Sequence, residues 1–121
     1  MTITVTSDHM PPSTNNLFST VASGRRIRSK RYNEWASAAG WDANGKGSIH
    51  GPFVVRLILS RKKRRKGQDL DNLVKAPMDL LVTHGIVESD SLCEQITVAW
   101  GDCSGFSIEI TAWSDVPGNG E

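Results

Sequence analysis

Isoleucine and valine alternate with threonine over residues 2–6, the period of two that marks a strand with one buried side. Pro11, Pro12, Ser13, Thr14, Asn15 and Asn16 then mark a turn-rich loop, which continues as a polar, basic loop over 19–28. Ser29 is a good N-cap, and Tyr32, Trp35, Ala36 and Ala39 follow it at spacings of three and four. The spacing predicts a helix over 29–39 that buries those four side chains. Residues 42–51 are rich in Gly and Asn and predict a connector. Over 53–60, Phe53, Val55, Leu57 and Leu59 share one side, while Val54 and Ile58 flank Arg56 on the other. Apolar residues on both sides predict a central strand covered on both faces.

A second helix is expected to begin near Leu70 and end by His84, with Gly85 at the C′ position. Leu70, Leu73, Val74, Pro77, Leu80 and Leu81 would form its buried face. Pro77 in mid-helix removes one hydrogen bond and crowds the Leu73 carbonyl, at about 3 kcal/mol in an unadapted helix. Either a kink or a loosely formed first turn is therefore expected. Ile96, Val98 and Trp100 alternate, residues 101–105 turn, and Phe106, Ile108, Ile110 and Ala112 alternate again, which predicts a hairpin. The order β-α-β-α-β-β predicts an α+β domain, a mixed β-sheet with two packed helices. A single domain is expected over 1–116, with a disordered tail over 117–121.

Composition adds one asymmetry. The net charge of the 121 residues is only +1, but residues 1–75 carry all 14 Lys and Arg against five acids, and 76–121 carry eight acids and no Lys or Arg. A basic half of net +9 points to a polyanionic partner; the same pattern also suits a domain whose halves neutralise each other. No apolar run approaches the roughly 20 residues needed to span a membrane. The first residues lack the pattern of a signal peptide. Cys93 and Cys103 fall at opposite ends of one expected strand, about 30 Å apart at strand rise, too far for a disulfide. Free thiols predict a cytoplasmic protein. His9, His50 and His84 show no ligand spacing, and His84 suits a helix C-terminus. The four tryptophans are expected in the core, with Trp41 beside Gly40 a candidate for exposure.

The chemistry concentrates between residues 61 and 90. Arg61, Lys62, Lys63, Arg64, Arg65 and Lys66 form an unbroken cationic run, expected to be an exposed loop. Gly67 and Gln68 separate it from Asp69-Leu70-Asp71-Asn72-Leu73-Val74-Lys75. Cations attract phosphates, whereas clustered carboxylates repel them unless a metal ion lies between. The juxtaposition predicts a metal-dependent site acting on a nucleic-acid backbone. Asp69 and Asp71 would share one side if Leu70 is extended. Asp71, Lys75 and Asp79 would form a helical stripe, with Lys75 near the metal but not ligating it. Oxygen-only donors suit Mg²⁺, with Mn²⁺ the alternative. Glu88 and Asp90 are candidates for a third carboxylate, but their loop lies about 20 Å along the helix from Asp71 and is not expected to fold back onto it. A second copy of the chain, or a less N-terminal Asp71, would resolve the distance. Asp-x-Asp also suits a plain helix N-terminus, where acids favour the dipole, and Asp71 with Lys75 suits a surface i,i+4 pair.

On these residues the chain resembles the RusA family of Holliday-junction resolvases, small endonucleases that cut four-way DNA junctions. The resemblance is sharpest in Asp-Leu-Asp-Asn-Leu-x-Lys-Ala from Asp69, then Asp79, Gly85 and the acidic turn after it. Pro11-Pro12-Ser13-x-Asn15-Asn16 and Arg26-x-x-Ser29-x-x-Tyr32-x-x-Trp35 support it. It implies that Asp69, Asp71 and Asp90 are essential acids that hold Mg²⁺ and that Lys75 is an essential lysine. Asn72 and Asp79 match further motif positions without an assigned role. It also implies a RusA-like homodimer that acts on branched DNA by paired phosphodiester hydrolysis, in DNA recombination and repair. The cationic run, with Arg25, Arg26, Arg28, Lys30 and Arg31, would grip phosphates. Ser89 stands where many members carry another acid, and Pro77 replaces a typical helix former. Two other readings stay open. Phosphatases with an aspartyl nucleophile share Asp-x-Asp, but there it follows an apolar strand directly. A non-catalytic DNA-binding protein of prophage origin would show the same cations.

Overall fold

The computed structural model describes residues 1–14, 18–20 and 26–118, with the backbone alone at 18–20 and Arg26. In chain order it forms β1 (Thr2–Ser7), β2 (Phe18–Thr20), β3 (Arg26–Arg28), α1 (Lys30–Ala43), β4 (Phe53–Ser60), α2 (Lys75–Thr83), β5 (Cys93–Gly101) and β6 (Phe106–Ala112). Short 3-10 turns lie at Leu70–Leu73, Asp90–Leu92 and Trp113–Asp115. The four longer strands form one mixed sheet in the order β1-β6-β4-β5, with β4 parallel to β5 and antiparallel to β6. This is the α+β architecture that the alternation of strand and helix patterns predicts.

Register fixes which side chains meet. Val55, Leu57 and Leu59 of β4 stand opposite Ile110, Ile108 and Phe106 of β6, and Ile3 and Val5 of β1 continue the row. These residues are buried, as are Tyr32, Trp35, Ala39 and Ala43 of α1 and Leu80 and Leu81 of α2. Trp35 ties α1 to the sheet. Its ring centroid lies 5.9 Å from that of Phe106, and its indole N–H donates to the His9 carbonyl at 3.0 Å. Burial of this continuous apolar row is the main driving force for the fold.

Several expectations change. Part of the basic loop over 19–28 is a two-stranded antiparallel ribbon, β2 with β3; residues 21–25 and the Asn15-Asn16 part of the preceding loop lie outside the described residues. Helix α1 runs four residues further than its predicted end, to Ala43, because Gly40 and Ala43 are still buried. Ser29 is its N-cap, accepting from the Tyr32 N–H at 3.0 Å. The strand β4 is central, but only one of its faces is buried: Val54 and Ile58 stay partly exposed and Arg56 is exposed. A mixed sheet with antiparallel pairs can leave one face to solvent, and the apolar-polar alternation along β4 marks the buried side.

The expected hairpin of β5 with β6 does not form. The chain crosses the end of β4 between them, so β4 pairs with both. The crossover passes close beneath the end of β1. A Cβ at Gly105 would lie 2.5 Å from the Ser7 carbonyl oxygen, so only glycine fits there. Cys93 and Cys103 are free thiols, and burial pushes both upward, leaving them protonated at neutral pH. Trp41 is 83 % exposed on α1, while Trp35 is in the core.

Pro77 sits in the first turn of α2, not in mid-helix. The chain from Leu70 to Leu73 is a 3-10 turn, and the first N–H bonded along α2 is that of Met78, to the Val74 carbonyl at 3.2 Å. The missing N–H of Pro77 is thus one that no helix start would bond, and its fixed φ suits the position. Pro77→Ala is therefore expected to lower stability by roughly 0.5–1 kcal/mol or somewhat more, through a freer unfolded chain and lost packing, and not to raise it by the ~3 kcal/mol of a relieved mid-helix proline. Urea denaturation of the two proteins measures the sign.

Candidate functional site

Asp69 has extended backbone, and the 3-10 turn begins at the next residue, Leu70. The two acids are therefore not alternate residues of an extended segment. At about three residues per turn, they leave the backbone in different directions. Leu73 is fully buried and anchors the turn, while Asp69 and Asp71 are exposed. Thr14 fastens the N-terminal loop to it, its hydroxyl donating to the Asn72 carbonyl at 3.1 Å. The change from 3-10 to α geometry at Val74 also breaks the expected stripe at Asp71. Its remaining part forms: the Lys75 ammonium lies 3.1 Å from Asp79, one turn on.

The same ammonium lies 3.6 Å from Asp90. The loop after α2 does fold back to the start of the helix, against the expectation from helix length. The physical reason is twofold. The α-helix has only nine residues, about 13 Å at normal rise, and the four residues that return after Gly85, 86–89, can span about 13 Å at strand rise. Gly85, at φ +68°, makes the reversal. Its N–H bonds the Val82 carbonyl and that of Ile86 bonds the Leu81 carbonyl, a complete Schellman turn with Leu81 and Ile86 both buried.

The returning strand is pinned along its length. Ile49 N–H donates to the Ile86 carbonyl at 2.7 Å, and the Ser48 hydroxyl donates to the Gly85 carbonyl at 2.9 Å. Glu88, one of the two candidate acids, accepts from the Gly51 N–H at 2.8 Å and faces His50. It is a clamp on this strand, and Asp90 is the acid presented to Lys75. Ser89 has a use where an acid is expected: its hydroxyl caps the Asp90–Leu92 turn by accepting from the Ser91 N–H.

Lys75 is held well into its charged form. The hydrogen bond and charge of Asp79 raise its pKa first, burial opposes them, and Asp90 adds to the rise. Tyr32, expected only in the core, also borders this group. Burial chiefly raises its hydroxyl pKa, Arg28 lowers it, and the charges of Asp79 and Lys75 reach it. The i,i+4 spacing announces the Lys75–Asp79 pair in the sequence, whereas no local signal places Tyr32 beside it.

Exposed carboxylates without a histidine or cysteine among them are donors for a hard, water-rich cation. Among the described residues no group of three His, Cys, Asp or Glu side chains stands close enough to hold a metal. One chain thus brings Asp90 to Lys75 and Asp79 and does not bring Asp69, Asp71 and Asp90 together as a cage. Mg²⁺ commonly uses only one or two carboxylates, with waters and substrate phosphate completing its shell, so the donor chemistry fits.

The cationic run is an exposed loop, and it is divided. Lys63 donates to the Asp8 carbonyl at 2.7 Å, Arg61 to the Trp100 carbonyl at 3.4 Å, and Arg64 stacks on the Trp100 ring at 4.9 Å. Arg65 and Lys66 turn instead toward Asp69, where they line a cleft with Arg31 of α1. Arg28 stacks on Tyr32 and Lys30 pairs with Glu34. Arg25 lies outside the described residues.

Residues 9–111, most of the chain and all of the site, match the family described as Endodeoxyribonuclease RusA. The chain belongs to the RusA endodeoxyribonuclease family. A comparison with curated proteins found no match. RusA membership makes this a nuclease of a family that resolves Holliday junctions. The matched span includes both halves of the site, the Asp69–Lys75 side and Asp90, which the fold brings to one end of α2.

Because Asp79 raises the Lys75 pKa, replacing it has a defined sign. A raised lysine pKa stabilises the fold at pH below the ordinary lysine range, and the contribution is lost as pH rises through the elevated value. Asp79→Asn is expected to move the Lys75 titration to lower pH, leaving Asp90 as the main remaining influence. NMR titration of the lysine side chain reads this directly, and an unchanged midpoint would contradict the assignment.

Proposed function

We propose that this chain is a Mg²⁺-dependent structure-selective endonuclease that resolves four-way DNA junctions, working as a homodimer that makes paired nicks. Asp69, Asp71 and Asp90 would hold the divalent cation, whose chemistry there is activation of a water and neutralisation of charge on the phosphate. Lys75, kept protonated by Asp79, places a fixed positive charge beside Asp90, where it stabilises negative charge building on the phosphate oxygens. The exposed cations hold the DNA backbone. Phosphate contacts carry no sequence information, so selectivity for a junction would come from the spacing of two sites in a dimer and from DNA deformability.

The observation that carries this reading is the Lys75–Asp90 contact at 3.6 Å. It joins the two motif halves that are distant in sequence, within the span matched to the RusA family. A dimer is also what the separated acids call for, because a second copy offers a route to a complete ligand shell. The separation of the three acids within one chain is the one observation that favours the rival, a DNA-binding protein without catalysis.

Purified protein with a synthetic four-way junction separates the two. In Mg²⁺ the wild type is expected to nick opposed strands. Asp71→Asn is expected to lower the rate by more than about a hundredfold while junction binding is retained. Junction binding by the wild type with no nicking in either Mg²⁺ or Mn²⁺ supports the rival.

A further inference from the structure

The cleft beside Asp69 is assembled from three distant pieces of chain. Ser13 comes from the loop after β1, Arg31 from the first turn of α1, and Arg65, Lys66, Gln68 and Asn72 from the segment between β4 and α2. Its volume is about 210 Å³, and Asp69 forms part of its wall. Gly67, at φ +77°, turns the loop so that the cations before it and the amides after it face one space. Among the described residues, Arg31, Arg65 and Lys66 make no salt bridge, unlike Lys30 and Lys75.

The placement of Arg31 is informative in itself. A cation in the first turn of a helix opposes the helix dipole, and the first turn of α1 contains no acid to offset it. Such a residue weakens the isolated helix slightly. An anion in the cleft would offset that cost by giving the guanidinium a charge-assisted partner. Guanidinium, ammonium, hydroxyl and amide groups around a space of this size suit one phosphodiester group.

We infer that this cleft holds one backbone phosphate next to the one that is cut, with Arg31, Arg65 and Lys66 as its ligands. The inference rests on the nuclease reading for the word "cut" and deepens it. Arg61, Lys63 and Arg64 are engaged with the protein itself, so the run is not a uniform cationic patch. Its last two members and Arg31 form a discrete site that sets the distance between a gripped phosphate and the acids. These are positioning residues and do not touch the reacting atoms.

The test compares Arg31→Gln, Lys66→Gln and a control, Lys46→Gln, which lies outside the cleft on the connector after α1. Junction binding is measured in EDTA across a salt series, and nicking in Mg²⁺. Each cleft variant is expected to bind on the order of tenfold more weakly at moderate salt. Each should also lower the slope of log K against log salt by about one, with the control unchanged. A neutral methylphosphonate placed at the phosphate beside the cut should weaken the wild type and have little further effect on Arg31→Gln. If the wild type nicks and both cleft variants bind and nick as it does, the cleft assignment fails and the nuclease reading stands. Equal losses from the control also overturn the cleft. If the wild type binds without nicking, the nuclease reading fails, while the salt slopes and the control still decide whether the cleft holds a phosphate.

Discussion

The site depends on one chain reversal, the turn at Gly85. A helix longer than α2 would carry the following loop out of reach of its own N-terminus. Here nine α-helical residues are followed by a Schellman turn and a short extended return, and the two lengths nearly cancel. Asp90 therefore arrives beside Lys75, although fifteen positions separate them in sequence. Buried Ile86 and Val87 hold the return strand against the core, and the hydrogen bonds from Ser48, Ile49 and Gly51 keep it from slipping. The apolar residues supply most of the stabilisation, and the polar ones set the register.

The start of α2 follows the same logic. Pro77 keeps the α-helix from extending far upstream, and Leu70–Leu73 closes as a tighter 3-10 turn. That change of geometry separates Asp69 and Asp71 from the line of Lys75 and Asp79. It leaves both acids exposed, with Asp69 at the rim of a cationic cleft. Exposure favours a water-rich cation over a closed protein cage.

Charge is sorted in two ways. Along the chain, cations precede residue 76 and acids dominate after it. In space, some cations of the loop after β4 are used internally, with Lys63 tying it to Asp8 and Arg61 and Arg64 tying it to Trp100. These contacts hold the loop between the end of β1 and the edge strand β5. The cations beyond them can then be presented in a set direction, which flexible charge alone would not achieve. The fold thus divides a run of six like charges into an anchored base and an exposed edge.

The amino-acid sequence by itself determined the four long strands, both helices, the Ser29 cap and the Gly85 terminus, because local periodicity and backbone preference decide these. The alternation over Phe53–Ser60 located β4 to the residue. It also marked out Asp69, Asp71, Lys75 and Asp90, and the RusA resemblance that they carry is matched over residues 9–111. Only the tertiary structure decided which strands pair and where the acids meet. Residues 93–112 look like a hairpin locally, yet β4 lies between β5 and β6, because a central apolar strand buries more of its face between two neighbours. Residues 70–84 look like one helix, yet Pro77 and the burial of Leu73 favour two geometries. Asp90 looks out of reach along the sequence because helix rise alone leaves out the reversal at Gly85 and the return after it. Contacts between segments far apart in sequence depend on how lengths and turns add up across the fold, and no local pattern carries that sum.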